Sequence, residues 1–209
     1  MTKEKTQMTT TPDFIEFPKI PRLSREVIVT EKIDGTSGCI YIPEDGSGFF
    51  VGSRSRWITP EDDNHGFARW AYEHKGELME LGPGRHFGEF WGKGIQRGYG
   101  LQEKRWSLFN AARWARPGEP LLPIPQQDPR VTKMQQYAPA CCHVVPVLYR
   151  GVFDTGVVHQ CLEELAALGS KAAPGFTKPE GVVVFHIQGN VGFKKTLERD
   201  EEPKTKGRP

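Results

Sequence analysis

The sequence predicts an α+β domain of antiparallel sheets with flanking helices. Three observations predict it. Eight short runs rich in β-branched and aromatic residues recur along the 209 residues, with turn formers between them. Only two segments keep apolar residues at helical spacing. The last two runs are separated by Ile187-Gln188-Gly189-Asn190, a turn of hairpin length. Many strands with few helices point to antiparallel pairing rather than to alternating crossovers.

In order, the strand candidates are Val27–Thr30, Gly38–Ile42, Phe49–Ser53, His86–Trp91, Trp106–Asn110, Val144–Tyr149, Gly181–His186 and Asn190–Lys194. A first helix is expected over roughly Asp63–Leu81. A second is expected over Thr155–Leu168, where Val157, Val158, Cys161, Leu162, Leu165 and Leu168 form one stripe. Asp154 stands at its N-cap position and Gly169 at its stop. Pro117 to Pro139, rich in proline and glutamine, reads as an irregular surface connection. Residues 1–12 and 200–209 read as flexible tails around a folded domain at 13–199. The second tail has no apolar residue to bury.

The length suits one domain with a real core. Charged residues make up 26% and hydrophobic ones 37%, which fits a soluble globular protein. No apolar run approaches a membrane span, and the first residues are polar and threonine-rich, so a cytoplasmic monomer is expected. Cys39, Cys141, Cys142 and Cys161 include no Cys-x-x-Cys pair and read as free core thiols. The net charge is only +2, but carboxylates are unevenly placed. From Arg85 to Arg116, seven basic residues face only Glu89 and Glu103, with Trp91, Tyr99, Trp106 and Trp114 interleaved. Such a stretch suits phosphate neutralisation with base stacking, or else a solvated basic face above core aromatics.

The most informative segment is Glu31-Lys32-Ile33-Asp34-Gly35-Thr36-Ser37, directly after the run Val27-Ile28-Val29. A nucleophilic lysine needs a firm strand, a tight turn beside it and nearby cationic charge to favour its free amine. Lys-x-Asp-Gly after a strand supplies the first two. Further segments follow in order: Gly52-Ser53-Arg54-Ser55-Arg56, His86-Phe87-Gly88-Glu89-Phe90-Trp91-Gly92, Trp106-Ser107-Leu108-Phe109-Asn110, Pro179-Glu180-Gly181-Val182-Val183-Val184-Phe185 and Val191-Gly192-Phe193-Lys194-Lys195-Thr196.

Taken together and in this order, these segments resemble motifs I, Ia, III, IIIa, IV and V of the covalent nucleotidyltransferases. The resemblance is closest to the ATP-dependent RNA ligases of the bacteriophage RNA ligase 2 type, and it covers roughly residues 14 to 198. It implies a nucleotidyltransferase domain with its nucleotide cleft between two sheets. The implied activity joins 5′-phosphate and 3′-hydroxyl ends through a lysyl-AMP intermediate, using ATP and Mg²⁺ or Mn²⁺. RNA is the implied partner, with DNA ends as a lesser option.

The resemblance makes Lys32 the nucleophile. Asp34 orients it or helps place a metal, or is simply a turn-forming aspartate. Glu31 and Ser37 flank the nucleotide; DNA ligases usually carry an arginine where Ser37 stands, which favours RNA. Arg54 is implied to contact the ribose and the substrate's terminal phosphate. Arg56 is not firmly separable from it and, with Lys93 and Arg97, is a candidate for nucleic-acid contact. Glu89 is implied to hold the ribose hydroxyls; a lone carboxylate among apolar residues must in any case be paired or functional. Phe109 is implied to stack on the purine, and Glu180 to bind the divalent metal. The family pattern Lys-x-Lys is here Lys194-Lys195-Thr196. Adjacent strand residues face opposite ways, so Lys194 is taken as the phosphate ligand and Lys195 as solvated.

The alternatives are a minimal DNA ligase, a capping-type guanylyltransferase, or a nucleotide- or nucleic-acid-binding module without turnover. The set Lys32, Glu89 and Glu180 argues against the last, which has no use for a nucleophile. Only a short charged tail follows the last of these segments, so the sequence is expected to be either a minimal ligase or the catalytic part of something longer.

Overall fold

A computed structural model describes residues 16, 19–20, 23–117, 134–136, 138–198 and 200. The expected N-terminal tail, residues 201–209 and most of the Pro117–Pro139 connection lie outside them. In chain order the strands are β1 (Glu26–Lys32), β2 (Thr36–Ile42), β3 (Phe50–Ser53), β4 (Trp57–Ile58), β5 (Gly84–Gly92), β6 (Lys104–Leu108), β7 (Ala115–Pro117), β8 (Met134–Gln136), β9 (Cys142–Val144), β10 (Val147–Val152), β11 (Gly181–His186) and β12 (Val191–Thr196). The helices are α1 (Phe67–Glu73), α2 (Lys75–Leu78), α3 (Ala111–Trp114) and α4 (Thr155–Leu168).

Two sheets dominate. The smaller has the order β10-β1-β11-β12 and is antiparallel throughout. The larger has the order β4-β3-β2-β5-β6-β9, antiparallel except for the β6–β9 pair. β7 and β8 form a separate two-stranded ribbon. The α+β architecture of antiparallel sheets is therefore as expected.

The period of two along β1 sets the layers. Val27 and Val29 pack with Val182, Val184 and Tyr149 beneath the apolar stripe of α4, which supplies Val158, Cys161, Leu162 and Leu165. Ile28, from the opposite face, joins the main core with Ile40, Val51, Phe90 and Trp106. Phe67 of α1 closes that core, its ring 5.1 Å from Phe90 and 5.6 Å from Trp106. A third cluster, Ile33, Trp91, Tyr99, Val145 and Ala173, ties the end of β1 to the other face of β5.

The second helix runs over the expected residues. The Asp154 carboxylate accepts from the Gly156 and Val157 amides at 2.7 and 3.3 Å, and Gly169 ends the helix. The first helix is a correction. It starts at Phe67, after a turn through His65 and Gly66 at positive φ. Asp63 caps it from outside, accepting from the Ala68 amide at 2.8 Å. It breaks at His74 (φ −101°, ψ 15°), resumes as α2 and closes in a 3-10 turn at Met79–Leu81. The expected strand Val144–Tyr149 is likewise two strands. The chain leaves the larger sheet at Val144 and enters the smaller one at Val147, and the Pro146 carbonyl between them accepts from the Glu31 amide at 2.9 Å. Among the described residues no helix is long and apolar enough to cross a membrane.

Candidate active site

Alternation along β1 turns Glu31 toward the α4 side and Lys32 toward the larger sheet. Lys32 Nζ lies 2.6 Å from Glu180 Oε2. Glu180 is buried and Lys32 keeps 19% of its side chain exposed, so the amine sits at the mouth of the site rather than beneath it. Gly181 explains how Glu180 reaches this side. Gly181 pairs with Lys32, so regular alternation would send Glu180 the other way. At φ 152°, with an added Cβ only 2.2 Å from the Lys195 carbonyl oxygen, position 181 admits no side chain, and the alternation breaks there.

The loop after β1 is pinned from three directions. The Asp34 amide donates to the Tyr99 hydroxyl at 2.8 Å, and Asp34 Oδ2 accepts from Arg97 Nε at 3.1 Å. The Gly35 amide donates to Glu89 Oε1 at 3.1 Å. Gly35 lies so close to β5 that a Cβ would stand 2.4 Å from the Phe90 carbonyl oxygen and 2.8 Å from Trp91 Cβ. This is the physical need for glycine in the Lys-x-Asp-Gly segment.

Glu89 closes the pocket from the larger sheet. It pairs with Ser37 across β2 and β5, and its Oε2 accepts from Ser37 Oγ at 3.4 Å. Burial is the main force on its carboxyl and, with help from the charge of Glu180, raises its pKa from 4.5 to about 7. Lys32 and the bonds from Gly35 and Ser37 work in the opposite direction. Ser107 lies opposite Glu89 on β6 and anchors Trp91, whose Nε1 donates to Ser107 Oγ at 2.9 Å. Phe109, one step beyond β6 on the face of Ser107, is 43% exposed.

Register separates the two lysines of β12. Lys194 pairs with Val183, which pairs with Thr30, so it shares the face of Lys32. Lys195 pairs with Val182, opposite Glu31, on the α4 side, and its Nζ meets Asp200 Oδ2 at 2.9 Å. Asp200, assigned to the tail by the sequence, therefore closes onto the end of β12.

Other candidates fall elsewhere. Glu31 is 1% exposed and sits under the 170–172 loop, accepting from Ser170 Oγ at 2.6 Å and from the Lys171 and Ala172 amides at 2.7 and 2.9 Å. That is a structural anchorage, away from the face of Lys32. Arg56 forks onto the Asp62 carboxylate, whereas Arg54 makes no hydrogen bond or ion pair among the described residues and borders an open depression beside Arg85 and Phe87. Arg97 is drawn into the site, bridging Asp34, the Lys178 carbonyl at 3.1 Å and Glu198 at 3.7 Å. Lys93 is exposed just past β5. The four aromatics interleaved with the basic residues of the Arg85–Arg116 stretch are core: Trp91, Tyr99, Trp106 and Trp114 are all buried. Their basic neighbours Lys104, Arg105 and Arg113 bond to the His65 carbonyl, to Glu103 and to the Leu81 carbonyl. The reading of those four aromatics as stacking surfaces is thereby corrected, whereas Phe87 in the same stretch is exposed. Sequence reasoning missed Tyr99 and Ser170, whose partners lie too far along the chain for any local signal.

Among the described residues, no group of three or more His, Cys, Asp or Glu side chains is arranged to hold a metal ion. The acidic groups beside Lys32 are Glu180 and Glu89, with Asp34 paired to Arg97 in the adjoining loop. Such a sparse set fits an ion that takes one or two protein carboxylates and completes its shell with water and phosphate, as Mg²⁺ does. The four cysteines are free; burial raises their thiols, Cys161 to about 11, so they offer no competing nucleophile.

A family model described as RNA ligase matches residues 25–196. No curated protein matches the chain. Among solved structures, a mutant Naegleria gruberi RNA ligase with ATP and Mn aligns at a TM-score of 0.50 and 17% identity, over 81% of this chain and 48% of that one. Another mutant of that ligase, without ligand, aligns at 0.49 and 20% identity over 81% and 48%. The chain thus spans about half the length of the solved structures it matches. At these identities the likeness speaks for the fold.

Proposed function

Because the chain belongs to the RNA ligase family, we propose that it is an ATP-dependent RNA ligase that forms a lysyl-AMP intermediate on Lys32 and seals a 5′-phosphate to a 3′-hydroxyl. The observation that carries this reading is the convergence of Lys32, Glu180 and Glu89 within one cleft, with Lys194 on the same face as Lys32.

Each group has a role that follows from its place. The Lys32 amine attacks the α-phosphorus of ATP. A nitrogen–phosphorus bond forms, the bond to the bridging oxygen breaks, and pyrophosphate leaves with the electron pair. Before attack the amine gives up a proton to solvent and leaves its ion pair with Glu180. Lys194 lies where it can meet negative charge on the transferring phosphate. Glu89, with Ser37 and the Gly35 amide fixing its carboxylate, is placed to accept from ribose hydroxyls. Phe109 presents an exposed ring to a purine. A divalent ion held by Glu180 would supply positive charge that screens the triphosphate and competes for the carboxylate now bound to Lys32. ATP and Mn in the matched Naegleria ligase support that choice of ligands. In the second half of the reaction an oxygen of the RNA 5′-phosphate attacks the phosphorus of lysyl-AMP, the nitrogen–phosphorus bond breaks, and Lys32 leaves as an amine that takes a proton from solvent. The 3′-hydroxyl then attacks that phosphorus, its proton is lost to solvent, and AMP leaves.

The test is joining. A 5′-phosphorylated RNA strand, ATP and Mg²⁺ are incubated with acceptors that carry ribose or deoxyribose at the two 3′-terminal positions. Faster sealing of the ribose acceptors is expected, because the 2′-hydroxyl is what distinguishes the two. Equal or faster sealing of an all-DNA acceptor would overturn the RNA assignment.

A further inference from the structure

The face of the larger sheet that carries Ser37 and Glu89 continues beyond the cleft. Register and alternation put Tyr41, Phe50, Trp57, Arg85 and Phe87 on that same face. A solvent-facing side of an antiparallel sheet ordinarily carries polar residues. Here Phe50 is 46% exposed, Trp57 49% and Phe87 54%. Tyr41, Phe50 and Trp57 form one group of rings, with centroids 5.9 to 6.3 Å apart. The Arg85 guanidinium lies over two of them, 4.4 Å from Tyr41 and 5.3 Å from Trp57. Beside the rings is an open depression of about 290 Å³. Three arginines and no carboxylate are among its lining residues, and of these Arg54 makes no ion pair among the described residues.

We propose that this face is a stacking platform for single-stranded RNA running out of the cleft, so that the ligase works on unpaired ends. The inference rests on the ligase reading above. Exposed rings on a sheet offer flat surfaces to bases of any identity, and arginines beside them meet the phosphates. Within a duplex the base faces are already stacked on one another, so the rings offer a duplex little. The depression is near the lower end of small-molecule sites, which suits a single nucleotide rather than the flank of a helix. The absence of carboxylates from its lining matches a polyanion. Trp57 and Phe87 line the same depression, and Phe87 lies two residues before Glu89 on the same face of β5, so an RNA end seated in the cleft has the platform as its neighbour.

The test compares the wild-type chain with Trp57→Ala, Phe50→Ser, the double variant and Trp57→Phe. Binding of an end-labelled single-stranded oligouridylate is followed by the fluorescence anisotropy of the RNA label, a readout that substitution of Trp57 leaves intact. A hairpin RNA serves as the duplex probe. Joining of single-stranded ends is measured alongside, with donor and acceptor lengthened separately to learn which strand lies on the platform. Each alanine or serine variant is expected to bind the oligouridylate at least about fivefold more weakly, the double variant more so, with Trp57→Phe close to wild type. Adenylylation by ATP, which uses no RNA, is expected to be unchanged throughout. Unchanged single-strand binding in a double variant that melts like the wild type would overturn the platform. So would hairpin binding as tight, and as sensitive to these substitutions, as single-strand binding. A wild type that binds the oligouridylate but never takes up AMP would strike the ligase reading and leave the platform standing.

Discussion

At the scale of single residues, position within a strand divides otherwise similar groups. Glu31 is buried and Glu89 half-buried, and one fastens a loop while the other closes the cleft. Removing the Glu31 carboxylate strands three donors. Glu31→Ala is expected to cost about 2–4 kcal/mol in stability, with adenylylation per folded molecule largely kept. A stable variant that binds ATP poorly would return Glu31 to the nucleotide site. Glu89 has a pH signature. Its folded pKa is raised from 4.5 to about 7, so in that window the native state holds a proton that the unfolded chain has lost. Its stabilising contribution is complete below about pH 4.5 and is lost as pH rises through 7. Relative to Glu89→Gln, which keeps an acceptor for the Gly35 amide, the wild type should lose on the order of 3 kcal/mol across that range. Parallel melting curves from pH 4.5 to 7.5 would contradict the assignment. The division between Lys194 and Lys195 was legible from adjacency alone, because neighbours on a strand face opposite ways. The anchorage of Glu31 was not, because Ser170 lies 139 residues away.

At the scale of elements, the loop between β1 and β2 depends on close backbone approach. Gly35→Ala places a Cβ against the Phe90 carbonyl, and β5 is backbone that does not give easily. We expect a stability loss of about 1–3 kcal/mol and a fall in adenylylation of about a hundredfold, since small displacements of a reacting group are costly. A variant with normal adenylylation would mean that the loop tolerates displacement. Seven of the eight expected strand positions were readable from periodicity, and α4 because periodicity, a capping aspartate and a stop glycine agree there. The first helix was not, because the break at His74 is a backbone event with no proline or glycine at that residue to announce it. The strand expected at Val144–Tyr149 failed for a related reason. Its other residues are strand-like and outweighed Pro146, which sits where the chain changes sheets.

At the scale of the molecule, the site exists because strands distant in sequence are neighbours. β1 lies between β10 and β11, so Lys32 meets Glu180 across 148 positions of chain. Local patterns carry no trace of that order; the ordered motif segments did, through resemblance. Arg97 joins three parts of the site, Asp34, Lys178 and Glu198. Arg97→Ala should slow adenylylation and speed hydrogen exchange at the Asp34 and Gly35 amides, while affinity for RNA stays within about twofold of wild type. A selective loss of RNA affinity would instead make Arg97 a nucleic-acid contact. The central claim is that Lys32 is the nucleophile, and intact-mass measurement after treatment with ATP and Mg²⁺ tests it most directly. The account predicts one added AMP on the wild-type chain, located at Lys32 by peptide mapping, labile to acid, and absent from Lys32→Ala. An adduct of equal yield on Lys32→Ala, or none on the wild type with either Mg²⁺ or Mn²⁺, would contradict it.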